Sequence, residues 1–148
     1  MKMILAALDL QAGSDAVLAR AVQLASAHGA WLLLLHVIDS ESLSHVVDVS
    51  GRGEIDLQGQ LRQQALTRLE ESLVESERTR RTDVRVEFGS PHEVITRVAG
   101  ERSADLVVIG PHRSQGQSLS EKVLGSTADR VIRTSPAPVL VVKAESGE

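Results

Sequence analysis

The sequence predicts an α/β protein, a single domain built on an open, parallel five-stranded sheet with helices on both faces. Three observations lead there. Stretches of β character alternate with helix-periodic stretches along the chain. Two of the former, Trp31 to Val37 and Leu106 to Ile109, are continuous apolar runs of the length that suits strands buried on both faces. Asp9 and Gly110 follow apolar runs directly, at the strand ends where such sheets place ligand-contacting groups.

Lys2 to Leu8 is apolar and β-compatible, and its run stops at Asp9 without the small-residue cleavage site of a leader, so it reads as strand one. Gly13 and Ser14 start a helix, with Ser14 as N-cap. Its stripe is Val17, Leu18, Ala21, Val22 and Ala25, and Gly29 marks its stop. Strand two, Trp31 to Val37, carries His36 near its carboxyl end. From Asp39 to Gly53 the pattern dissolves into Ser, Asp and Gly, a loop of lid-like length. A helix from about Glu54 to Arg78 shows Leu57, Leu61, Ala65, Leu66, Leu69 and Leu73 on one face. Val84 to Phe88 is strand three. Ser90-Pro91-His92-Glu93 is a capping box that opens the third helix, whose stripe is Val94, Ile95, Val98 and Ala99. Leu106 to Ile109 is strand four, Ser126 to Thr134 the fourth helix and Pro138 to Val142 strand five, with proline allowed only at a strand start or edge. The end, 143–148, reads as a loose tail.

Composition removes several function classes. The chain of 148 residues has a net charge of −4 with its cations dispersed, which gives nucleic acid no basic footprint. Trp31 and Phe88 are its only large aromatics, too few for base stacking or for holding a flavin. With no cysteine there is no disulfide, thiolate nucleophile or cysteine zinc site, which suits a reducing cytoplasm. No apolar run is long enough to cross a membrane. His36 and His112 are placed near the mouth of the cleft, His28, His45 and His92 on helix ends or loops, and none has the spacing of a metal-binding pair. Ser14, Ser90 and Ser126 read as caps, since no nucleophile-elbow sequence surrounds them.

The strongest local feature runs from strand four into the fourth helix. Gly125 followed by Ser126 at a helix start leaves unpaired N–H groups and a positive dipole end, the outline of a phosphate seat. An ordinary Gly/Ser helix start has the same letters. If strands one and four flank the reversal of strand order, Asp9 and Gly110 face one cleft.

In order and spacing, ILAALD at the start, the strand ending His36-Val37, Gly89-Ser90-Pro91, DLVVIG at Asp105 to Gly110, Gly125-Ser126 and the closing PAPVLVV together resemble the universal stress protein family. The resemblance implies strand order 3-2-1-4-5, a homodimer through strand five (Pro138 to Val142), and ATP held through Gly-x2-Gly-x9-Gly-Ser/Thr. By that resemblance the nucleotide contacts are Ala7, Asp9 near the ribose, Val37 at the adenine edge, Ile109, Gly110, Arg113, Gly116, Gly125, Ser126 and Thr127, with Mg²⁺ resting on the phosphates.

The loop departs from the family pattern. Arg113 stands where the second glycine belongs, and Gly110 to Gly125 is two residues longer than the pattern. Gly116 partly compensates if the loop is re-registered; in place of a backbone cradle, Arg113, His112 and Lys122 would approach phosphate as charged side chains. Two readings therefore stay open: a regulatory module that binds ATP or another adenine nucleotide, and a stress protein acting through dimerisation and protein partners without nucleotide. An enzyme is the weakest reading, since no Gly-Lys-Ser/Thr is present, and slow ATP hydrolysis is the most it implies.

Overall fold

Strand β1 (Met3–Ala7) is the middle of a five-stranded sheet of order β3-β2-β1-β4-β5, all of whose pairings are parallel. On one side it pairs with β2 (Trp31–Asp39), Ile4 opposite Leu32, and on the other with β4 (Leu106–Ile109), Ile4 opposite Leu106. Strands β3 (Thr82–Gly89) and β5 (Val139–Val141) form the two edges. The covering helices are α1 (Ser14–His28), α2 (Glu54–Ser72), α3 (Pro91–Glu101) and α4 (Ser126–Thr134). This computed structural model describes residues 1–11, 13–40, 53–73, 81–111 and 124–143.

Alternation along the strands separates two apolar layers, as the period of two requires. Ile4, Ala6, Leu32, Leu34 and Val108 meet α1 and α2 through Val17, Leu18, Ala21, Ala25, Ala65 and Leu69. Leu5, Leu33, Leu35, Val107 and Ile109 meet α3 and α4 through Val94, Ile95, Val98, Ala99, Ala128 and Val131. A parallel strand covered on both faces must be apolar at every position, which is why β2 reads as an unbroken run. Each fully buried leucine there contributes about 1.5–3 kcal/mol.

Several expected boundaries shift. β1 is one residue shorter at each end than Lys2 to Leu8, and β5 spans Val139–Val141 with Pro138 just before it. β2 and β3 are longer than expected because they pair continuously from Leu32 opposite Thr82 to Asp39 opposite Gly89. Asp39 therefore belongs to a strand, and residues 41–52 of the expected loop lie outside the described residues. α2 ends at Ser72 rather than near Arg78, because Leu73 turns extended and is buried. Residues 74–80, beyond it, also lie outside the described residues.

Two expected caps are not made. Gly13, left-handed at φ 98, is the N-cap of α1 in place of Ser14, which is the first helical residue. Ser90 is the N-cap of α3 with Pro91 behind it, but its hydroxyl meets His92 Nδ1 at 3.2 Å instead of capping the helix. Both hydroxyls have a competing side-chain partner nearby, and that partner wins over the backbone.

Asp105, just ahead of β4, holds the start of β1: its Oδ2 accepts the N–H of Lys2 at 2.7 Å and of Met3 at 3.0 Å. The Lys2 amide first, and then the Met3 amide, hold its carboxyl below the usual carboxylate value. A depressed folded pKa contributes stability above the unfolded value of about 3.9, and that stability is lost as pH falls through the lower folded value. Asp105→Asn should therefore lower the unfolding midpoint at neutral pH, with the gap from wild type closing in acid. Urea unfolding across that pH range checks this, and a gap independent of pH would refute the charge-based account.

Candidate functional site

At the carboxyl edge of the sheet the chain turns out of β1 through a knot of short contacts. Asp9 Oδ1 accepts the N–H of Gln11 at 2.9 Å and the hydroxyl of Ser14 at 2.7 Å, tying the loop to the first turn of α1. Leu10, at φ 61, bends the chain away, and its carbonyl accepts a hydrogen bond from Arg68 Nη2 of α2. Asp9 thus leads the chain into α1.

His36 on β2 completes the knot by meeting the carbonyl of Leu8 through Nδ1 at 2.7 Å. A carbonyl only accepts, so Nδ1 carries the proton. Burial, above all, pushes the imidazole below its ordinary pKa; the Leu8 carbonyl pulls upward, Arg68 pushes down and Asp9 pulls up. His36 is therefore neutral at pH 7, with Nε2 an acceptor.

This contact bears on Val37. The bonds Trp31 N–H to Lys2 carbonyl and Leu8 N–H to Leu35 carbonyl show that the odd residues of β2 face β1, and Leu32 N–H to Arg81 carbonyl that the even ones face β3. The next ladder bonds would run from Val37 N–H to Leu8 carbonyl and from Leu10 N–H to Val37 carbonyl. Among the described residues neither is made. The amide and carbonyl of Val37 face a gap that β1 has left.

On the other side of β1, continuing the register past Ala6 opposite Val108 puts Ala7 beside Ile109 one step on and Leu8 beside Gly110 two steps on. A Cβ on Gly110 would lie 3.3 Å from Val17 Cγ2, so glycine lets α1 pack closely there. Gly125 N–H donates to the Pro111 carbonyl at 3.3 Å, and Val142 N–H to the Ile109 carbonyl at 2.8 Å. The first helical bond of α4 runs from Asp129 N–H to Gly125 carbonyl, so the amides of Ser126, Thr127 and Ala128 have no acceptor within the helix.

The structure therefore brings Ala7, Asp9, Val37, Ile109, Gly110, Gly125, Ser126 and Thr127 to one edge. Arg113, Gly116, His112 and Lys122 lie outside the described residues, as does His45. His28 ends α1 and His92 is in the first turn of α3. A hollow of about 380 Å³ near Asp9 is lined by Leu8, Leu10, Ser14, Leu18 and Arg68, residues of the β1 end, α1 and α2, and not by Gly110 or Gly125. Among the described residues no His/Asp/Glu group is arranged to hold a metal. Arg68, on a charged helix face, has no local sequence signal, and the role of His36 depends on the Leu8 carbonyl just past β1.

The universal stress protein family model matches residues 1–143. The chain belongs to the universal stress protein family. It is 32% identical over 129 residues to universal stress protein MJ0577 of Methanocaldococcus jannaschii, 78% of each chain. The solved structure of that protein superposes with a TM-score of 0.79 at 28% identity, covering 99% of this chain and 98% of that one. Universal stress protein G of Shigella flexneri is 38% identical over 114 residues, 74% of this chain and 75% of its own. A universal stress protein crystallised in complex with cAMP aligns over 97% of this chain and 98% of its own, with a TM-score of 0.60 at 21% identity, a likeness of fold. The family match and the strand order agree with the resemblance read from the sequence.

Proposed function

We propose that this universal stress protein is a regulatory module that binds ATP or another adenine nucleotide across the carboxyl edge of β1 and β4. One observation carries the reading: the open amides at the start of α4, the ends of β1 and β4, and the open backbone of Val37 share that edge. The base lies along Val37, the ribose hydroxyls donate to the Asp9 carboxylate, and the chain passes Ala7, Ile109 and Gly110. The phosphates meet Gly125, Ser126 and Thr127 at the positive end of α4. Arg113 and Gly116 complete the phosphate seat, and Mg²⁺ rests on the phosphates. A fold neighbour crystallised in complex with cAMP supports an adenine nucleotide as a ligand for this fold.

The module works by binding rather than catalysis, with slow hydrolysis at most, and it acts in the cytoplasm. No helix among the described residues is long and apolar enough to cross a membrane. It assembles as a homodimer through β5. Equilibrium binding of ATP to purified, nucleotide-stripped protein should saturate below millimolar ligand. A flat titration at millimolar ATP would overturn the reading.

Arg113 and the lengthened Gly110–Gly125 segment favour a second reading, in which the dimer acts through protein partners and carries no nucleotide. Adenine nucleotide released from freshly purified, denatured protein would eliminate it.

A further inference from the structure

The family pattern says nothing of what keeps the Val37 backbone open. In a parallel pair the ladder continues as long as each carbonyl meets the next amide across the gap. Leu8 still donates its N–H to Leu35, so β1 and β2 are in register up to that bond, and by the parity above the Leu8 carbonyl faces β2. Its next partner in the ladder is Val37 N–H. His36 Nδ1 is at 2.7 Å from that carbonyl instead. By the period of two, His36 is on the face of β2 that carries Leu32 and Leu34, so its imidazole engages the Leu8 carbonyl from the α1–α2 side. Beyond it the left-handed bend at Leu10, whose carbonyl is held by Arg68, carries the chain off before it can meet the Val37 carbonyl.

We infer that His36 is the positioning residue of the base seat: by donating its Nδ1 hydrogen to Leu8 it takes the acceptor that Val37 N–H would use, and leaves the Val37 amide and carbonyl for the edge of a purine. A neighbouring peptide donor and acceptor match the N1 acceptor and N6 donor of adenine. This rests on the nucleotide reading, and so the test includes ligand-free measurements. Asparagine in place of His36 presents a side-chain N–H near the Nδ1 position, whereas phenylalanine keeps the ring and has no donor.

In ligand-free wild type, the imidazole ¹⁵N spectrum should show hydrogen on Nδ1, and the Val37 amide should exchange with solvent faster than its β2 neighbours. His36→Phe should slow that exchange and weaken ATP binding by about tenfold, the scale of one hydrogen bond made to a desolvated group. Binding of inorganic tripolyphosphate, which has no base, should stay unchanged. His36→Asn should restore fast Val37 exchange and most of the ATP affinity. A protected Val37 amide in wild type, or undiminished ATP affinity in His36→Phe, overturns the role of His36 while the nucleotide reading stands. Rapid Val37 exchange in a wild type that binds no ATP overturns the nucleotide reading, and with it the base seat.

Discussion

Gly89→Ala is expected to lower stability by about 2–6 kcal/mol, combining backbone strain with an overpacked contact, each of roughly 1–3 kcal/mol. Gly89 is at φ 148, a conformation that side-chain-bearing residues rarely adopt, and an added Cβ would come within 2.9 Å of Val94 Cγ2. Neither partner moves easily. Gly89 pairs opposite Asp39 at the end of the β2–β3 ladder, and the next residue is the N-cap of α3. Val94 is 5% exposed and packed into the layer beneath α3. Adding Val94→Ala to Gly89→Ala removes the collision and leaves the dihedral strain, so the double variant should lose less than the sum of the two single losses. Urea unfolding of the four proteins measures this cycle. A Gly89→Ala variant within about 0.5 kcal/mol of wild type, the usual range of a neutral surface change, would show that the turn adapts.

With the proposed pairing through β5, Val141→Pro is expected to be monomeric while the fold persists. The bonds Val107 N–H to Pro138 carbonyl and Val142 N–H to Ile109 carbonyl show that the even residues of β5 face β4. Val139 and Val141 therefore direct their amides and carbonyls outward along an edge of valines and leucine, which invites pairing. The opposite edge is closed to such pairing. By the parity of Leu32 N–H to Arg81 carbonyl, the Val86 carbonyl points outward from β3, and Arg62 Nη1 caps it at 2.8 Å with its guanidinium 5.1 Å from the Phe88 ring centre. Beside it Arg85, Glu87, Arg97 and Glu101 form a linked set of ion pairs. Charge and a capped carbonyl blunt one edge of the sheet, and the other is left apolar. The apolar edge is where the proposed second copy would pair.

Proline at 141 removes an outward N–H and no bond to β4, whereas proline at 140 removes a ladder donor and should unfold the protein. Sedimentation at micromolar concentration should give twice 15.9 kDa for wild type and 15.9 kDa for Val141→Pro. A monomeric wild type, or a dimeric Val141→Pro, would refute assembly through β5.

The sequence was most legible where burial alone decides structure. Leu106 to Ile109 and Ser126 to Thr134 begin and end where they were expected, because an apolar run bounded by Asp105 and Gly110, or an apolar stripe opened by Gly125, states which residues must leave water. The edge that gathers Asp9, Gly110 and Gly125 was legible for the same reason, since alternating strands and helices leave few sheet orders open. What each polar group does there was less so. Asp105 accepts the amides of Lys2 and Met3 at the start of β1, and Arg62 of α2 caps the edge strand β3; neither role has a local sequence signal.

By itself, then, the chain determined the alternation of strands and helices, the two apolar layers and the family, because periodicity records which side of each element is buried. Only the tertiary structure decided where β2 ends, which partners Ser14 and Ser90 choose, and that His36 takes the Leu8 carbonyl. Those outcomes depend on acceptors brought close by packing, and a hydrogen bond between residues 28 positions apart leaves no trace in local pattern.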